Sequence, residues 1–161
     1  MKSKTVAESS VFIIQQMTHN DANLAGNVHG GSIMKLIDST AGIVAARHAS
    51  GNVVTASIDR LDFHSPVHIG DLLKVNASIN FAGTTSMEIG VRVEAENFRT
   101  GELRHTASAY LTFVALDSES KPTPVPSLEP TTEDEVRRQG EASERRRIRL
   151  AERKRERESQ Q

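Results

Sequence analysis

The segment Ser32–His48 constrains this chain more than any other, because Ile33, Met34, Leu36, Ile37, Ala41, Ile43, Val44, Ala45 and Ala46 cover most of a helix's circumference. A helix so apolar must be enclosed on several sides, and the segments that follow supply the enclosure. Val53–His64, Leu72–Phe81, Ser86–Asn97 and Leu103–Leu116 read as strands, separated by Pro66, Gly70-Asp71, Gly83-Thr84 and Thr100-Gly101. In Met87–Glu94 the residues Met87, Ile89, Val91 and Val93 alternate with polar ones, as a half-buried antiparallel strand requires. Val11–Met17, with Phe12-Ile13-Ile14, adds a strand before the helix. One helix followed by four strands specifies an α+β domain, not an alternating α/β one.

The chain has 161 residues, enough for one ordinary domain and an appendage. Pro122-Thr123-Pro124-Val125-Pro126 is a stiff extended stretch, expected to carry the chain away from the sheet, so the domain is expected to occupy residues 1–128. Residues 129–161 form a charged extension. Thr132-Glu133-Asp134-Glu135 has the pattern of a capping box opening a helix to about Glu158, with Glu133–Arg137 and Asp134–Arg138 at ion-pair spacing. Half of the twenty basic residues lie beyond residue 136, yet Val136, Ile148 and Leu150 set up no heptad. A solvated helix is expected, with a basic docking surface for an anionic partner as the alternative.

Cysteine is absent, which excludes disulfides, thiolate metal sites and thiol catalysis. The formal net charge of −1 argues against nonspecific nucleic-acid binding by the whole chain. No stretch reaches membrane-span length and the N-terminus lacks the pattern of a secretory signal, so a cytoplasmic setting is expected. His48 and His64 lack paired ligand spacing, so no metal is expected, and Gly30-Gly31 lacks a nucleotide-loop pattern.

The candidate site lies where a polar loop, Asp21–His29, meets Gly30-Gly31 and the apolar helix. Glycines at a helix start let a ligand approach unpaired N–H groups and the positive end of the helix dipole. Asp38 follows seven residues after Gly31, expected on the buried side of the helix.

That loop and helix, with Phe63-His64-Ser65-Pro66-Val67, Gly70-Asp71, Gly83-Thr84-Thr85-Ser86 and Ala107–Phe113, resemble the hotdog-fold acyl-CoA thioesterases, specifically single-domain bacterial relatives of the cytosolic brain-type acyl-CoA hydrolases. The resemblance covers about residues 8–128. It implies a long central helix wrapped by an antiparallel sheet, pairing of two copies into one continuous sheet, and frequent assembly as a trimer of dimers. It also implies hydrolysis of an acyl-CoA thioester to an acid and CoA without cofactor or metal. On the matching positions, Asp38 is the general base or a nucleophile forming an anhydride, and Asn23 orients water or substrate.

Backbone N–H groups around Gly31 are the expected oxyanion donors, with His29 and Gly30 beside the substrate and His29 supporting the loop. For the CoA phosphates, Arg104 with Thr84, Thr85 and Ser86 match the family best, and Arg60 and Arg92 are further donors. Two other functions stay open: a non-catalytic acyl-CoA-binding module, and a hotdog hydratase or dehydratase using His29 with Asp38. Helix geometry adds that Gly31 and Asp38 share a face but lie about 10 Å apart along the axis. Reacting groups must approach to about 3 to 3.5 Å, which favours a site built from two subunits.

Overall fold

Gly30–Ala49 form a single helix, α1, lying across one face of an antiparallel sheet in a computed structural model that describes Met1–Gln160. The chain runs β1 (Lys4–Thr5), β2 (Val11–Gln16), a 3-10 turn (His19–Asp21), α1, β3 (Asn52–Phe63), β4 (Leu72–Ala82), β5 (Ser86–Asn97), β6 (Glu102–Leu116), β7 (Leu128–Glu129) and α2 (Glu133–Ser159). The main sheet has the order β2-β4-β5-β6-β3 with every pairing antiparallel. This is the hotdog arrangement, with a second helix after it.

Strand alternation decides which side chains meet the helix. Leu73, Val75, Ala77 and Ile79 of β4, Met87, Ile89, Val91 and Val93 of β5, and Ala107, Ala109, Leu111 and Phe113 of β6 are buried with Ile33, Ile37, Ala41, Val44 and Ala45 of α1 in one core. Each large aliphatic side chain so enclosed contributes about 1.5–3 kcal/mol relative to exposure. Small residues at Ala107, Ala109 and Gly42 keep the helix close, and the Phe113 ring lies 3.6 Å from where a Cβ on Gly42 would stand.

Three expectations change. The sheet covers α1 on one side only: Met34 and Ile43, on opposite flanks of the helix, remain 39% and 45% exposed, and on the β3 edge Val54 and Ile58 are also exposed. Within one chain the helix is therefore incompletely enclosed. The proline-rich stretch does not leave the domain either. Thr123 N–H donates to Ala115 O, Val125 N–H to Thr84 O, and Leu128 pairs with Lys4 in a two-stranded parallel sheet of β1 and β7. The fully buried His48 fastens this segment to α1: its Nε2–H donates to Pro126 O at 2.8 Å, while Nδ1 has no partner among the described residues. Burial holds this imidazole below its ordinary pKa, outweighing the raising effect of the Pro126 bond.

Thirdly, α2 is not merely solvated. It lies on the outer face of the sheet, with Ala142 completely buried and Arg145 and Arg149 bonded to the sheet residues Glu88 and Asp59. Its cap is close to expectation: Thr132 Oγ1 accepts from Glu135 N–H, but the Glu135 carboxylate reaches back to Thr131 N–H instead of Thr132. Asp134–Arg138 pair at 3.1 Å, whereas Arg137 chooses Asp134 and Glu141 over Glu133. No helix among the described residues is long and apolar enough to cross a membrane.

Candidate active site

The loop between β2 and α1 is held by its own polar groups. Thr18 N–H donates to Asp21 Oδ2 at 2.9 Å across the 3-10 turn, and His29 N–H donates to Asp21 O at 2.6 Å. Met17 and Val28 bond to Asp71 and Val67, which ties both loop ends to the β3–β4 connection. Asn23 Oδ1 accepts from Ala25 N–H and Asn27 N–H at 2.9 and 3.2 Å, so this side chain shapes the turn that Gly26 completes at φ +83°. Its Nδ2 amide is what it can offer a ligand.

The helix start departs from expectation in one respect. His29 is the N-cap, and its Nδ1 accepts from Gly31 N–H at 2.8 Å. Ser32 and Ile33 N–H both donate to His29 O. The Gly31 N–H expected to face an oxyanion is thus occupied, and Gly30 N–H is the first-turn donor left without an acceptor among the described residues. Gly30 faces a hollow of about 340 Å³, which Ile33, Phe63, His64 and Pro66 also line. The Phe63 ring lies 3.7 Å from the position of a Gly30 Cβ, an ordinary van der Waals contact, so only a side chain larger than alanine would crowd the hollow.

Asp38 is half-buried, not buried, and lies on the flank of α1 that faces β3. Thr55 Oγ1 donates to its Oδ1 at 2.7 Å, which fixes the carboxylate and leaves Oδ2 free to meet a water. Sequence reasoning missed Thr55. The only available signal was its place on the strand beside the helix, since nothing in a Val-Val-Thr-Ala run marks one hydroxyl as a carboxylate partner.

The other expected residues are scattered. Thr84 and Thr85 lie in the turn after β4 and Ser86 opens β5, whereas Gln16 pairs with Leu72 at the opposite end of β4, beside the Asn23 loop. An eleven-residue strand separates the two ends by roughly 33 Å. Arg104 is occupied by the buried Asp71, to which its Nη2 donates at 2.7 Å, and Arg60 lies exposed on β3 beside Asp62. Arg92 pairs loosely with Glu94 at 3.7 Å. One chain therefore brings Asp38 and Thr55 together, places Asn23, His29, Gly30 and Gly31 at one end of α1, and keeps Thr84–Ser86 apart from the Asn23 loop.

The Thioesterase superfamily pattern matches residues 25–102. The chain is 43% identical over 136 residues to the cytosolic acyl coenzyme A thioester hydrolase of Rattus norvegicus, covering 83% of this chain and 36% of that one, so it spans about a third of that relative. An acyl-CoA hydrolase from Staphylococcus aureus, solved with butyryl coenzyme A and coenzyme A, superposes with a TM-score of 0.90 at 36% identity, covering 98% of this chain and 96% of that one. Alanine variants of it at one asparagine, one aspartate and one threonine, fifteen and then seventeen positions apart, have the same fold. A hexameric acyl-CoA thioesterase in its apo form superposes with a TM-score of 0.91 at 39% identity, covering 94% and 97%. This agreement of sequence and fold over nearly the whole length places the chain in the hotdog-fold acyl-CoA thioester hydrolase family.

Proposed function

We propose that this protein hydrolyses acyl-CoA thioesters with Asp38 as the base, in a site completed by a second copy of the chain. The observation that carries this reading is the Asp38–Thr55 pair, held on the flank of α1 that faces the β3 edge. The fifteen- and seventeen-residue spacings of the S. aureus alanine variants are also those that separate Asn23, Asp38 and Thr55.

In this mechanism Asp38 Oδ2 takes a proton from water as the water oxygen bonds to the thioester carbonyl carbon. The carbonyl oxygen becomes an oxyanion, stabilised by Gly30 N–H at the positive end of α1. Collapse breaks the carbon–sulfur bond, and the CoA sulfur leaves as a thiolate that is protonated to the free thiol. Asn23 Nδ2 donates to the water or the substrate carbonyl. Direct attack by Asp38 would give an anhydride instead, but the free Oδ2 beside a fixed Oδ1 suits water activation better.

The second copy follows from β3. It is an edge strand of twelve residues with unpaired backbone groups, and Ile58 with Met34 gives it an apolar margin on the side of α1. Pairing β3 with its symmetry mate joins two sheets, covers that margin and lays the partner's Asn23 loop toward Asp38. A trimer of such dimers matches the hexameric relative, and a cytoplasmic setting matches the cytosolic one. CoA phosphates would then be met by the Thr84–Ser86 turn of one subunit near the loop of the other.

Mixing Asn23→Ala and Asp38→Ala subunits by refolding them together tests the shared site. Each variant alone is expected to be inactive. Random pairing makes half the dimers mixed, each with one intact site, so about a quarter of parent activity returns. Failure to recover any activity would place both residues in the same subunit's site.

A further inference from the structure

α2 touches the sheet through few residues, one turn apart. After the buried Ala142, Arg145 places its guanidinium 3.8 Å over the Tyr110 ring and donates to both oxygens of Glu88 at 2.7 and 3.1 Å. Arg149 then donates to Asp59 Oδ2 at 2.9 Å, with the two side chains only 15% and 14% exposed. Toward its N-terminal end α2 stands off the sheet over a cleft of about 560 Å³ flanked by Asn76, Arg92 and Arg138. Arg145 and Arg149 attach the helix together with the buried Ala142 and with Arg146, whose guanidinium lies 5.7 Å from the Phe81 ring centroid.

Asp59 is an unusual residue to grip. β3 slips register against β6 between Thr55 and Ser57, and again between Ile58 and Arg60, so Asp59 is the extra residue of the second bulge. Its carboxylate gathers three donors: Ser57 Oγ at 2.6 Å, Thr112 Oγ1 at 2.7 Å and Arg149. Four residues earlier, toward the opposite face of the sheet, Thr55 donates to Asp38.

We propose that Arg149, through Asp59, is a positioning residue for the Asp38 carboxylate. It holds the bulged part of β3 in the conformation that aims Thr55 Oγ1 at Asp38. The catalytic half of this inference rests on Asp38 being the base. The physical reason is that within one chain β3 bonds to β6 alone, and two bulges remove ladder bonds from the stretch that carries Thr55. A hydroxyl on such a stretch is only as well placed as its supporting shell. Arg149 supplies that support from the far side of the sheet, which makes α2 part of the catalytic assembly.

The test compares full-length parent, Arg149→Met, Arg149→Lys, Thr55→Val and the Arg149→Met/Thr55→Val pair. Measured quantities are kcat and KM for an acyl-CoA, and hydrogen exchange of the β3 amides. Arg149→Met is expected to lower kcat about tenfold with KM changed less than about twofold. Arg149→Lys, still able to make the single contact to Asp59, restores most of kcat. In the Thr55→Val background the Arg149→Met loss largely disappears, because the two act on one contact. Amides of residues 55–59 exchange faster in Arg149→Met. Unchanged exchange, unchanged kcat, or losses that simply add in the pair would overturn the proposal. An inactive parent would instead sink the functional reading and with it the catalytic half, and exchange would still decide whether α2 holds β3.

Discussion

Asp38→Ala is expected to lower kcat for acyl-CoA hydrolysis by about 10²- to 10⁴-fold, the usual contribution of a positioned general base. The fold should survive, because Asp38 is half-buried and has one side-chain bond, to Thr55, whose loss costs about 1 kcal/mol. Asp38→Asn separates geometry from basicity. Its Oδ1 can still accept from Thr55, so the side chain keeps its place, but the amide cannot take a proton from water. A loss in Asp38→Asn as deep as in Asp38→Ala assigns the effect to proton transfer. Near-parent activity in Asp38→Asn would remove Asp38 from the chemistry. CoA release can be followed with a thiol reagent without interference, since the protein has no cysteine.

The second large effect concerns stability. Glu88 is 3% exposed, and apart from Arg145 its carboxylate accepts, among the described residues, only from Asn80 Nδ2 at 3.2 Å. Arg145→Met leaves that charge buried and short of partners, and breaking such a pair from one side costs about 3–5 kcal/mol. Urea unfolding is expected to show a loss of this size, and Glu88→Gln combined with Arg145→Met should recover most of it by removing the stranded charge. A loss below about 0.5 kcal/mol in Arg145→Met would mean that water reaches Glu88 and that α2 is loosely seated. The same geometry alters the expectation for removing residues 129–161. A detachable extension would leave the domain intact, but removing α2 takes away both Arg145 and Arg149 and uncovers the sheet beneath Ala142. Truncation is expected to destabilise the domain.

The sheet and its central helix were legible because their signal is local. Alternation in Met87–Glu94 and the apolar surface of Ser32–His48 express, respectively, strand and helix periods against one core. The seat of α2 was not legible for the converse reason. Its sheet-facing positions include Ala142, Arg145, Arg146 and Arg149, which carry no apolar stripe, and the arginines' partners Glu88, Phe81 and Asp59 lie more than fifty residues away in sequence. The β1–β7 pair was missed likewise, since two-residue strands have too little pattern to read.

Within the site, Asn23, Gly30, Gly31 and Asp38 were legible as a loop, a glycine pair and a carboxylate on one helix. The occupation of Gly31 N–H by His29 was not, because an imidazole before a helix can equally face the ligand. Arg104 illustrates the limit of assigning a cation to a ligand from sequence: the buried Asp71, thirty-three residues earlier, already holds it.

The most direct measurement is CoA release by the purified parent from short-, medium- and long-chain acyl-CoAs, with the free acid quantified alongside. A thioester hydrolase is expected to give stoichiometric acid and CoA from at least one chain-length class, with no absorbance change from hydration of enoyl thioesters. Binding of acyl-CoA without release of CoA from any of them would contradict this reading and make the protein a binding module.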